Sequence, residues 1–220
     1  MMPSLGPISY GFAAVGFLLL TLLLWISWQG RSPGMRLIVA CAVTSLWAAV
    51  LALQGALPAP LVLLAEFLRY GAWYFVLTGL TRSTGVAPTL SRAVHFTWIG
   101  AVVLVLAAPR LASAGLPLPQ PSELLADVGL LMALLGLVLL EQIYRNAAGK
   151  GRYAFKFLVI AAGLMFAYDL FVYSQARLLQ GIEPASWNAR GLVVTLMVPL
   201  IAIAAQRNPQ WSLNVFVSRH

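Results

Sequence analysis

The sequence predicts an all-α integral membrane protein: a bundle of about seven transmembrane helices, with its N-terminus outside and its C-terminus cytoplasmic. Three observations carry this. Of 220 residues, 61% are hydrophobic and only 9% are charged, whereas a soluble domain is about a quarter charged. Mean hydropathy is +0.88. The apolar residues form continuous runs of bilayer length, not alternating ones, and lipid admits only helices or closed barrels. Lys and Arg gather in alternate loops, as topology signals do.

The elements follow in order. Apolar segments run roughly over 7–28, 36–56, 60–80, 92–108, 122–142, 154–177 and 189–206. The first is too long for the core of a signal peptide, and Met1 to Tyr10 brings no basic residue before it, so it reads as a span. Breakers part the next runs: Gly30 to Gly34, Pro58 to Pro60, and Gly85 to Pro88. Leu116 to Glu123, LPLPQPSE, reads as extended. In the seventh span Pro199 predicts a kink and a freed backbone carbonyl. The spans use up the chain. Residues 1–206 make one heptahelical domain, and 207–220 are a cytoplasmic tail.

Orientation rests on ten basic residues in one set of loops: Arg31, Arg36, Arg82, Arg92, Arg145, Lys150, Arg152, Lys156, Arg207 and Arg219. The other set holds Arg110, Arg177 and Arg190, and Arg69 lies within a span. The richer side is cytoplasmic. The net charge of +8 is dispersed, with no dense tract, so it sets topology and does not point to nucleic acid. Trp25, Trp28, Trp187 and Trp211 fall near the interfaces, and the lipid bilayer is the first partner.

Orientation allows depths to be compared. At the helical rise, Glu66 lies ~9 Å and Arg69 ~13 Å below the outer boundary, Asp127 ~7 Å and Asp169 ~12 Å. In the inner half only Glu141 appears, at its edge. A charged side chain in lipid costs several kcal/mol unless it is paired or hydrated. Glu66, Arg69, Asp127 and Asp169 are therefore expected to face one another, with Arg69 as partner of Asp169. Tyr70, Tyr74, Tyr168 and Tyr173 can add hydroxyls. Three acids against one Arg leave a surplus of negative charge. Such a layer fits a sensing site in a water-filled cavity open to the outside, for a cationic or hydroxyl-rich ligand. It fits polar glue between helices equally well.

Other chemistry is sparse. Cys41, the single cysteine, lies inside an apolar run, so no disulfide forms within the chain, and it reads as a packing residue. His95 and His220 are too far apart for a metal site. The seventh span has no Lys for a retinal Schiff base. No phosphate loop, catalytic triad or zinc-protease motif is present, so no catalytic residue and no cofactor is assigned. A small transporter or channel, or a stand-alone scaffold, are the rival classes. The dry inner half and the absence of an internal repeat count against a transporter.

Several stretches resemble the membrane region of PrsK-type sensor histidine kinases, which accompany the PEP-CTERM/exosortase system of Gram-negative bacteria. They are the tail RNPQWSLNVFVSRH from Arg207 to His220, the YDLFVYSQARLL stretch from Tyr168 to Leu179, and the seventh span from Ala189 to Trp211. EFLRYGAWY around Glu66 and Arg69 also fits. The resemblance implies a multi-pass sensor in the bacterial inner (cytoplasmic) membrane. It implies further chain downstream: more membrane sequence, a GAF domain, a phosphoacceptor His segment and an ATP-binding kinase domain. It also implies a homodimer and a cognate response regulator as partners. ATP belongs to that missing part, and His220 is not assigned as phosphoacceptor. The 220 residues are then the input region of a longer protein.

Overall fold

Proline stands at the first or second position of five of the eight helices. Its fixed φ suits the first turn, where its missing N–H costs nothing. In a computed structural model describing residues 5–28, 32–117, 119–147 and 149–207, eight helices follow in order. They are α1 (Leu5–Ile26), α2 (Ser32–Ala52), α3 (Ala59–Thr84), α4 (Pro88–Ser113), α5 (Pro121–Asn146), α6 (Gly149–Leu178), α7 (Pro184–Thr195) and α8 (Met197–Arg207). Pro60, Pro88, Pro121 and Pro184 stand in the first turns of α3, α4, α5 and α7. Gly85 (φ 71°) closes α3, and Gly115 (φ 85°) follows α4. Both need the left-handed region that glycine enters freely.

Seven helical segments are long and apolar enough to cross a membrane, with α7 and α8 counted as one from Pro184 to Arg207. The α7–α8 break falls at Leu196. Pro199 has no N–H for the carbonyl of Thr195, four residues back, so the helix loosens there. No strand occurs among the described residues.

Most helix ends shift by a few residues from expectation, and three of the shifts have a visible cause. α4 runs several residues past 92–108 at both ends, because Pro88 starts it and Gly115 ends it. LPLPQPSE is not extended throughout: Pro121, Ser122 and Glu123 already form the first turn of α5. The last span begins at Pro184, not 189, so Arg190 sits inside a helix and not in a loop. Residues 208–220, with Trp211, His220 and nearly all of the tail motif, lie outside the described residues, as does Arg31. Of Arg82, Lys150 and Arg152 only the backbone is described.

α3 is the inner helix. It packs on α2, α4 and α5, while α1 packs on α2 and α7, and α6 on α5, α7 and α8. α4 is peripheral and buries only Val94 and Ala101. Its outer face shows Phe96, Ile99, Val103 and Leu106, and α1 shows Phe12, Val15, Leu19, Leu22 and Leu23. Such wide apolar surfaces suit lipid, not water. Cys41 is fully buried, as a packing residue is.

Candidate functional site

The site begins with helix geometry. Residues three apart share a helix face, so α3 presents Glu66 and Arg69 together. α6 brings Asp169, and the first turns of α7 bring Arg190. The four close a ring. Arg69 Nη2 donates to Asp169 Oδ2 at 2.7 Å and to Glu66 Oε2 at 3.3 Å. Arg190 Nε donates to Asp169 Oδ1 at 2.7 Å. Arg190 Nη1 and Nη2 grip Glu66 Oε1 and Oε2 at 2.6 and 3.0 Å, a fork on a carboxylate. Each acid thus holds both arginines. Arg69, Asp169 and Arg190 are 0% exposed and Glu66 is 3% exposed.

Aromatic rings wall the ring in. Trp47 packs against both cations, its ring centre 4.3 Å from the Arg69 guanidinium carbon and 5.2 Å from that of Arg190. Tyr70 lies 4.9 Å from Arg69, and Trp187 and Tyr173 lie 4.9 and 5.5 Å from Arg190. Cation–π attraction gains strength when water is excluded.

The supports come from every side. Tyr10 donates to the carbonyl of Trp187 at 2.7 Å, Tyr168 to that of Ser186 at 3.0 Å, and Ser9 to that of Asn188. Three successive carbonyls of α7 are therefore held from α1 and α6. Trp187 Nε1 reaches Gln54 Oε1 at 3.1 Å. A Cβ on Gly191 would stand 2.6 Å from backbone atoms of Ser9 and Tyr10, so only glycine allows α1 this close. On α3, Trp98 Nε1 donates to the Phe67 carbonyl at 2.9 Å and Tyr74 to the Met132 carbonyl at 2.5 Å. Phe166 of α6 stacks on Tyr70 and Tyr74.

Of the residues expected in one layer, Glu66, Arg69 and Asp169 meet. Tyr173 lies against Arg190, and Tyr168 braces α7 without touching an acid. Asp127 does not join them. It is half exposed on α5 and pairs with Arg177 at 2.9 Å, beside Glu123. Depth places a residue along the bilayer normal but not around its helix. Leu124 and Val128 face inward and Asp127 faces away. The expected surplus of negative charge is also corrected, since two acids meet two arginines. Arg190 is the residue that sequence reasoning missed. Pro184 at a helix start was the available signal. The four charged side chains are buried and not open to the outside.

Chemically, the arrangement is a neutral four-point latch joining α3, α6 and α7. Among the described residues no group of three His, Cys, Asp or Glu could hold a metal ion. No protein-family model, curated protein or solved structure matches this chain.

Proposed function

We propose that the chain is the membrane input region of a sensor histidine kinase of the PrsK type, acting by phosphorelay. It sits in the inner membrane of a Gram-negative bacterium, with its N-terminus outside and residues 207–220 leading into the cytoplasm. With Arg190 buried in the ring, the outer side keeps only Arg110 and Arg177, in the last turns of α4 and α6, against ten basic residues in or beside the opposite connections, which supports this orientation. The phosphoacceptor His, the ATP site and the contact with the response regulator belong to domains downstream. A homodimer is the matching assembly.

The observation that carries the reading is the closed Glu66–Arg69–Asp169–Arg190 ring. Apolar residues would join three helices without desolvating four charges, and a buried ion cluster is weak support for stability. What it supplies is register: discrete pairings that a cue can exchange. α7 continues through the Pro199 break into α8, which leads toward the cytoplasmic end. A re-paired arm of the ring would therefore be felt there.

The test uses the native host. An N-terminal epitope tag at the chromosomal locus should give a membrane band far above 23.7 kDa, labelled by ATP after purification. A band near 23.7 kDa would end the kinase reading. Asp169→Asn should alter output at normal abundance. Unchanged output with lowered stability would reduce the ring to glue.

A further inference from the structure

Four of the five buried side-chain nitrogen and oxygen atoms without a partner among the described residues lie around Arg69. They are Arg69 Nε and Nη1, Trp47 Nε1 and the Tyr70 hydroxyl; the fifth is Gln175 Oε1 on α6. The Trp47 and Tyr70 ring centres stand 4.3 and 4.9 Å from the guanidinium carbon. Both unpartnered heteroatoms thus belong to rings packed on the Arg69 guanidinium. Trp47 and Arg69 are 0% exposed and Tyr70 is 2% exposed.

The neighbouring acids do not meet this demand. Every carboxylate oxygen of Glu66 and Asp169 already accepts from an arginine. Guanidinium and indole nitrogens only donate, and a phenol can donate. Buried donors without acceptors are costly, and folded proteins leave few of them. The missing group must therefore accept. Its charge is also constrained. The ring sums to zero, so an anion would bring an uncompensated buried charge, and a set of donors repels a cation.

We propose that the corner formed by Trp47 of α2 with Arg69 and Tyr70 of α3 binds an uncharged oxygen acceptor. That oxygen is either an internal water or the carbonyl or hydroxyl oxygen of a small organic molecule. Both present lone pairs to the same donors. The site stands on its donors alone and holds whether or not the chain signals.

Tyr70→Phe in the full chain in lipid nanodiscs is the test. It removes one hydroxyl and keeps the ring over Arg69. If the hydroxyl meets an acceptor, the melting temperature falls by about 2–4 °C. If the hydroxyl is an orphan, its removal leaves the temperature unchanged or raises it, and the proposal is overturned. Two measurements identify the source. An NMR cross-peak between the Trp47 indole proton, assigned by its loss in Trp47→Phe, and water assigns an internal water. Native mass spectrometry showing an organic adduct that Tyr70→Phe loses assigns the organic molecule. Absence of both signals also overturns the proposal.

Discussion

Arg190 is the residue on which the cluster turns, because it contacts both acids and three aromatic rings. Arg190→Leu should destabilise the protein by about 3–5 kcal/mol, since it leaves two buried acids with one arginine. Adding Glu66→Leu restores charge balance and should recover much of the loss. Denaturant titration of both variants in micelles measures the difference, and equal stability of the two would refute the pairing. Sequence reasoning reached three of the four charges by counting depth. It missed Arg190 because the polar stretch Ala185 to Arg190 hides a helix start from hydropathy. It misplaced Asp127 because the angle around a helix is set by packing, which a linear count does not contain.

Small residues set how closely some of the helices meet. A Cβ on Gly129 would lie 2.6 Å from the Tyr173 ring, and one on Gly191 would strike the backbone of α1. Gly191→Leu should force α1 from α7 and lower the melting temperature by several degrees, since overpacking costs about 1–3 kcal/mol. A melt unchanged from the parent would count against this close approach. The second case is the break at Leu196. Pro199→Ala returns an N–H donor for the Thr195 carbonyl and should join α7 to α8. Spin labels at Leu192 and Gln206, measured by pulsed electron resonance, should give a narrower distribution than in the parent. The break was legible from one proline. The helix ends were less so, because prolines that read as loop residues proved to be first-turn residues.

The seven helical segments long and apolar enough to cross a membrane were the most legible feature, because length and hydropathy mark them almost alone. Which helix lies inside was not legible: α3 is no more apolar than its neighbours, and only its partners reveal it. Orientation can be tested directly. Gly55 and Gly181 lie in connections on one side, with open space around a Cβ, and Ala87 lies on the other. In a Cys41→Ala background, a membrane-impermeant maleimide should label Gly55→Cys and Gly181→Cys on intact cells. It should label Ala87→Cys only after permeabilisation. The reverse pattern would invert the topology.

In the proposed membrane protein, the ring would also order biogenesis. Glu66 and Arg69 leave the ribosome together, so α3 would enter the translocon as a self-neutralised helix. Asp169 would follow with α6 and meet an arginine already in place. Arg190 emerges last, on the order of ten seconds after Arg69 at ordinary synthesis rates. A nascent chain halted between α6 and α7 holds two acids against one arginine, and it should be a preferred target of membrane quality-control proteases until the last helix arrives.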